Sequence, residues 1–571
     1  MHRRIIIGIV LVSLYIGLPY NSTAATKSRT FQDLCLEILE SLQSFYPVRS
    51  TEMGIHAYDF HLADYSDNSV KGMIKKLKGL EKRLYEYKSA DLEDYQRVNY
   101  QLVKSYVDIA LLDLERIQWR RTSPQLYVHE AINGLYFLSI SGYAPLHEKR
   151  VAMLSRMRAA PELFATARKN LKNPPPTYIE AAQEALVSGL DFYRELAAEL
   201  MKQFPDQADE ILRVSMAARE AMTDFSSYLS ELTPGEPTSF AIGKENFDYM
   251  LSRQHFLDYD SDSLLAVGRM LLAQADSAYQ AYEAYLEGNH QNGSDSVFVP
   301  ADFSRQDVLD YYEWETQQVR IFLDQSGYIT IPDDIAPVGV IETPPFLRSM
   351  ITGIAYQPAG PFDSIQKGYF YVRPVPEDLD REQLEARYRY VHRRGFRGSV
   401  VHEAFPGHHL QMQLAGRHPD PVRRWSQNMM LVEGWALYCE EEVYHHGLYG
   451  REDPVQWLGI LGGIRFRAMR IVADVMLHTG QFSYEECVDW AIDALHITSD
   501  SDKDYIRREI GRYTYQPTYQ MSYLMGKREI MKLRDAAMAR DGENFDLKAF
   551  HDALLAQGSV PPTLLWGVLG L

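Results

Sequence analysis

Two histidines that chemistry would bring to one metal are separated in this chain by a proline and a glycine. Residues 402 to 411 read His-Glu-Ala-Phe-Pro-Gly-His-His-Leu-Gln. On an ideal helix His402 and His408 differ by about 120° of rotation and about 9 Å of rise, and His409 returns to the face of His402 only about two turns on. Neither can share a metal with His402 on a straight helix, unlike the one-turn pair of a regular His-Glu-x-x-His segment. Pro406 interrupts the hydrogen-bond ladder and Gly407 admits the dihedrals of a tight bulge. The spacing therefore predicts a bulged helix that restarts near His408. If the bulge absorbs two residues, His408 takes the place of the second ligand, and bulge geometry decides between His408 and His409.

A second run, Glu433-Gly434-Trp435-Ala436-Leu437-Tyr438, follows about two dozen residues later. Two imidazoles and a carboxylate hold Zn²⁺ at about 2.0–2.2 Å and leave a fourth position for a reacting water. His402, His408 or His409, and Glu433 supply that set, with His408 the preferred second ligand. Glu403 follows the first ligand directly, where a carboxylate takes a proton from the attacking water and returns it to the leaving amine. The plain alternative is a hydrogen-bonded histidine cluster at a kinked helix. A chance match of His-Glu-x-x-x-Gly-His-x-x-Gln, on the order of one in ten thousand from residue frequencies, weighs against it. Glu433 has a rival role as a carboxylate at the positive end of a helix dipole. Glu440, seven residues on, shares the face of Glu433 and suits a carboxylate that orients a ligand histidine; a solvated acidic face, Glu440 to Glu442, is the competing reading.

The chain opens Met1-His2-Arg3-Arg4, then runs apolar from Ile5 to about Leu18 and reaches Asn21-Ser22-Thr23-Ala24-Ala25. That is the layout of a secretory signal peptide over residues 1–25, and a run of about 14 apolar residues falls short of the ~20 that span a bilayer. No Cys follows the run, so a lipoprotein signal is not expected. Removing residues 1–25 moves the net charge from −18 to −20. Such a surface repels nucleic acid. Three cysteines, Cys35, Cys439 and Cys487, are too few and odd in number for a disulfide framework, although one pair is open to bonding.

From Phe31 to about Glu231 the chain is a succession of helical patterns, as in Tyr95 to Ile117 and Ile179 to Met201. A soft boundary falls at Thr233-Pro234-Gly235-Glu236-Pro237, which gives an N-terminal helical region 26–235 and a second region 236–571. Gly288 to Ser294 reads as a surface loop. Between 328 and 374 come short β-prone runs, Tyr328 to Pro332, Val338 to Thr343, Ile351 to Gln357 and Gly368 to Arg373, which fit a small sheet. An exposed edge of such a sheet can pair with an extended peptide; a sheet that merely closes the helical body is the alternative. From Arg381 to near Ala556 the pattern is helical again, and all the metal-site candidates, 402–433, lie there.

The string from His402 to Gln411 followed by Glu433 to Tyr438 resembles the bacterial family known as domain of unknown function 885. Further matches are Gly368-Tyr369-Phe370-Tyr371-Val372, Arg470 to His478, Arg512-Tyr513, and Pro517 through Tyr523 with Gly526. The resemblance covers most of the mature chain, with its specific motifs between about 365 and 530, and Arg373 stands where the family pattern has Asn. It implies a mainly α, zincin-like metallopeptidase fold with a deep cleft and a small β-sheet beside the metal, similar in motif logic to thimet-oligopeptidase-like and carboxypeptidase-Taq-like enzymes. It also implies one zinc per chain, short peptides as substrates, carboxypeptidase or dipeptidyl-carboxypeptidase action, and Tyr369 and Tyr371 beside the substrate.

Arg470, Asp474 and His478 stand at four-residue intervals on one helix face. They read either as Asp474 orienting His478, which donates to the tetrahedral oxyanion, or as a structural ion-pair ladder. Tyr519 and Tyr523 lie one turn apart; a phenol suits the oxyanion, and the resemblance favours Tyr523, with Tyr519 near the substrate. Arg512 suits a peptide carboxylate, with a salt bridge to Glu509 as its rival. The expectation is an exported, periplasmic or secreted, zinc peptidase with no nucleic-acid partner and no span after signal removal. A metal-dependent amidohydrolase on small acyl amides and a non-catalytic zinc- or peptide-binding module are the other readings, and a purely structural scaffold would bind no metal.

Overall fold

The computed structural model describes residues 22–288, 298–344, 348, 351, 353–392, 395–450 and 453–571. Most of the expected signal segment, and the polar run 289–294, lie outside the described residues. Twenty-two α-helices and one three-stranded sheet make up the described chain. The helices form where apolar residues recur every three or four positions. In Asp67–Leu84, Val70, Met73, Leu77, Leu80 and Leu84 are all buried, and Ser66 caps the first turn by accepting from the Ser69 N–H. Each such burial stabilises by roughly 1.5–3 kcal/mol.

The largest apolar core joins both sequence regions. Phe31 to Leu114 contribute with residues 303–565, from Val308 and Phe370 to Trp435 and Leu554. A second core, from Ala63 to Leu229, is built mainly by the helices between 124 and 231 and reaches Tyr371. Cys35, Cys439 and Cys487 are all free and buried. No helix of the described residues is long and apolar enough to cross a membrane.

The sheet has the order β1-β3-β2, with β1 (Gly339–Glu342) parallel to β3 (Tyr369–Val372) and β2 (Ala355–Gln357) antiparallel to it. Three of the four β-prone runs contain strands. The fourth, Tyr328 to Pro332, bends at Tyr328 and Ile329 and joins no sheet, and is apolar because Tyr328, Ile329 and Ile331 are buried in the main core. Its partners are side chains: Asp552 accepts from the Thr330 N–H and hydroxyl, and His551 Nδ1 meets the Tyr328 carbonyl.

Six helices carry the site: α1 (Gly395–Glu403), α2 (His408–Gly416), α3 (Met429–His445), α4 (Pro454–His478), α5 (Asp500–Tyr513) and α6 (Ser522–Asp541). Helices α3 and α6 cross with their backbones in contact. A Cβ on Gly434 would lie 2.5 Å from the Gly526 backbone, so neither position has room for a side chain. This close crossing brings Glu433, beside Gly434, against Tyr519, just before α6, and Tyr523 in its first turn.

Candidate metal centre

Helix α1 ends at Glu403 and the chain loops through Ala404 to Gly407, with a cis Phe405–Pro406 peptide, before α2 starts at His408. The Gly407 N–H reaches back to the Val401 carbonyl at 3.0 Å, and a Cβ on Gly407 would overlap the His402 carbonyl oxygen. Only glycine fits. Trp435 Nε1 donates to the Pro406 carbonyl at 2.8 Å and fastens the bulge to α3.

This bulge folds His408 back toward His402. His402 Nε2 and His408 Nε2 lie 3.5 and 3.4 Å from Glu433 Oε2, and one donor atom from each of the three residues lies within 4.8 Å of the others. Bonds of 2.0–2.2 Å at tetrahedral angles place neighbouring donors about 3.4 Å apart, so the two imidazole–carboxylate separations fit a metal. Glu433 Oε2 is buried and has no hydrogen-bond partner among the described residues, while Oε1 accepts from the Tyr519 hydroxyl. A buried carboxylate oxygen that faces two imidazole nitrogens without completing a hydrogen bond to either is an arrangement that a metal cation would complete.

His409 is not part of the triad. Its Nε2 meets the Ala336 carbonyl at 2.8 Å, which fixes the proton there, and its Nδ1 then accepts from the Tyr356 hydroxyl at 2.9 Å. Burial pushes its pKa down to about 4, so the ring is neutral and both nitrogens are committed. Glu440 Oε1 lies 2.7 Å from His402 Nδ1, the geometry that leaves His402 Nε2 free to face the triad, and Arg467 approaches the same oxygen at 3.4 Å.

The electrostatics follow from burial and these contacts. For His402, burial opposes protonation but is outweighed by Glu433 and Glu440, which raise its pKa to about 10. Burial also works against the charge of Glu433, yet His408 and His402 hold it well below the ordinary carboxylate range. Glu403 is raised, by burial first and with Glu433 adding to it. Its Oε2 accepts from the Tyr356 N–H at 2.8 Å. The Tyr519 and Tyr523 phenols are pushed up by burial and by the Glu433 charge, so both remain proton donors; their oxygens are 3.2 Å apart.

The triad opens on a cavity of about 1180 Å³, whose wall includes Glu403, Ile354 and strand β2, Tyr519, Tyr523, Arg470 and Arg512. Other expected residues are placed elsewhere. Tyr371 is buried, with its hydroxyl on that of Tyr136, and Tyr369 lines a separate small pocket with Asp363 and Lys367. The reason is topological: both sit on the central strand, and the edge that faces the cavity is β2. His478 does not reach the cavity wall. It is fully buried, and its Nε2 meets the Tyr513 carbonyl at 2.9 Å, with Asp474 3.9 Å away. Asp474 instead accepts the N–H groups of Thr518 and Met521 at 3.0 and 3.2 Å, fixing the turn that carries Tyr519. Arg512 does make the salt bridge to Glu509, at 2.8 Å, while also lining the cavity.

Sequence reasoning missed Tyr356, which holds Glu403 through its backbone and His409 through its hydroxyl. A tyrosine in a short β-prone run carries no distinguishing signal. It also missed Trp435 as the clamp of the bulge, although that residue stands inside the second motif.

Fold and site together define a mainly helical protein with a small mixed sheet and a buried His-His-Glu group able to hold a metal ion. The chain belongs to the bacterial family of proteins of unknown function DUF885, whose pattern it matches over residues 47–568. No curated protein matches it in sequence. Among solved structures it is similar to a protein of unknown function from Shewanella oneidensis designated a lipoprotein, at 20% identity and a TM-score of 0.74 over 95% of this chain and 100% of that one. A second, also designated a lipoprotein, comes from Colwellia psychrerythraea: 19% identity, TM-score 0.76, 95% and 98% covered. At this identity the likeness is one of fold.

Proposed function

We propose that this chain is an exported zinc-dependent peptidase acting on short peptides. The observation that carries the reading is the orphaned, buried Glu433 Oε2 between two imidazole nitrogens, with a raised carboxyl, Glu403, beside it. Zinc held by His402, His408 and Glu433 would supply Lewis-acid polarisation of the scissile carbonyl and of the attacking water. Glu403, steadied by the Tyr356 N–H, takes the proton of that water and passes it to the leaving amine. Tyr523 lies against His402, with ring centroids 6.3 Å apart, and donates its phenolic proton toward the developing oxyanion. Tyr519 is committed to Glu433 and orients that carboxylate.

The edge strand supplies substrate alignment. The Tyr356 N–H points away from β3 toward Glu403, and in an antiparallel ladder the carbonyl of the same residue points the same way. That carbonyl is available to the backbone of an extended peptide, which gives affinity with little side-chain demand. Export is supported by the basic-then-apolar N-terminus and by the lipoprotein designation of the two structural relatives.

The deciding experiment is metal analysis together with hydrolysis of a mixed short-peptide library, for the wild type and Glu403→Gln. One zinc per chain in both, with cleavage only by the wild type, is the expected outcome. Bound zinc with no peptide cleavage by the wild type would favour an amidohydrolase of small acyl amides or a binding module. Absence of metal would overturn the triad.

A further inference from the structure

We infer that the arginine-lined wall of the metal cavity is a subsite for a free carboxylate, so that a peptide is seated with its C-terminus there and loses a short C-terminal fragment. The inference rests on the peptidase reading. Arg467 and Arg470 leave one face of α4, and Arg512 leaves the last turn of α5; all three line the cavity. Two carboxylates stand against these three guanidinium groups. Glu440 is engaged with His402, and lies 3.4 Å from Arg467. Glu509 is shared, its Oε2 accepting from Arg470 at 2.9 Å, from Arg512 at 2.8 Å and from the Tyr513 hydroxyl at 3.1 Å. This part of the wall therefore keeps an excess of positive charge.

Arg512 spends three bonds on Glu509 and Gln516, whereas the donors of Arg470 are underused. A guanidinium carries five N–H donors. Arg470, only 7% exposed, makes one hydrogen bond among the described residues, to Glu509. The faces of Phe466 and Tyr523 hold it in place, at 4.8 and 4.9 Å. A buried cation with half of a shared counter-charge is costly, and a ligand carboxylate relieves that cost. Another part of the wall differs. There Arg49 has its own partner, Glu52, at 2.7 Å, and also donates to Gln427, so no excess charge is left.

The distance suits a short fragment. The Tyr523 ring centroid lies 6.3 Å from that of His402 and 4.9 Å from the Arg470 guanidinium carbon, so the guanidinium lies within about 11 Å of the His402 ring, a span of at most about three extended residues. A charge-assisted, forked contact of this kind discriminates strongly between a carboxylate and an uncharged amide.

The test compares acetylated pentaalanine with its C-terminal amide on the zinc-loaded protein. The wild type should favour the free acid by roughly 10- to 100-fold in kcat/KM. Arg512→Gln should bring the acid-to-amide ratio of kcat/KM close to one, the acid losing roughly 10- to 100-fold more than the amide. Arg512→Lys, which keeps the charge but not the fork, should lose part of the preference and serves in place of Arg512→Gln should that variant not fold. Equal rates on both peptides, or equal losses on both in the variant, would overturn the subsite. Binding of the two peptides to zinc-loaded Glu403→Gln reads the subsite without turnover. A binding preference for the acid in a protein whose wild type cleaves neither peptide would uphold the subsite and sink the peptidase reading; equal binding with cleavage of the amide would do the reverse.

Discussion

Two buried carboxylates, Glu433 and Asp474, sit in neighbouring parts of the molecule under opposite electrostatics. Glu433 faces two imidazoles, keeps one oxygen without a hydrogen-bond partner among the described residues, and has its pKa held well below the ordinary range. Asp474, fully buried on α4, gives both oxygens to backbone N–H groups, and burial pushes its pKa up to about 7 despite them. Burial alone thus does not mark a functional acid. What distinguishes the two is whether the protein completes the hydrogen-bonding of the group or leaves it for something else. The same contrast separates His409, saturated on both nitrogens, from His408. Asp474 still serves the site at one remove: Thr518 has φ of +61°, a conformation unusual for a β-branched residue, and Asp474 and His255 hold it there. Tyr519 and Tyr523 follow.

The contrast can be broken from either side. The largest effect is expected from Gly407→Ala, where the new methyl would overlap the His402 carbonyl. A loss of about 3 kcal/mol in stability, with zinc stoichiometry falling toward zero, should appear in denaturant titration and metal analysis. Asp474→Ala should lower stability by about 2–4 kcal/mol, because two buried N–H groups lose their acceptor, yet leave one zinc per chain. The pH dependence carries a sign. A carboxyl whose folded pKa is raised to about 7 holds its proton more tightly when folded, so its contribution is present below about pH 4 and is lost as pH rises toward 7. Melting curves of the wild type and Asp474→Asn should therefore diverge across that window, with the wild type declining. The smallest effect sharpens the comparison: Glu440→Gln should weaken zinc roughly 10- to 100-fold by releasing His402 Nδ1, with a melting temperature close to that of the wild type. An unchanged zinc affinity would show that Glu440 does not orient His402.

Much of the fold was legible where the signal is local. Periodic apolar residues gave the helices, including Tyr95 to Ile117, which begins within the helix Asp94–Leu111 and continues through the π-helical turn Leu112–Ile117. All three strands of the described residues lie in β-prone runs, whereas the fourth run, Tyr328 to Pro332, was misleading because a buried unpaired segment and a strand share the same composition. Within the site, His402, Glu403 and His408 are bound by short spacing, and Glu440 by its seven-residue offset from Glu433. His478 looked suited to the cavity by the same helical arithmetic, but α4 runs from the cavity into the core between Arg470 and His478. Spacing along a helix specifies a face and says nothing of what each turn of that face meets.

The sequence by itself determined the helical class, the break at Pro406-Gly407 and His402 with Glu403 as members of the site, because each depends on contacts within a few residues. Only the tertiary structure decided that His408 and not His409 faces Glu433, that β2 and not the tyrosine-rich β3 borders the cavity, and that Arg470 and Arg512 share a single Glu509. Those outcomes depend on which backbone carbonyl, strand edge or carboxylate arrives from a distant part of the chain, and packing of the whole molecule sets that arrival.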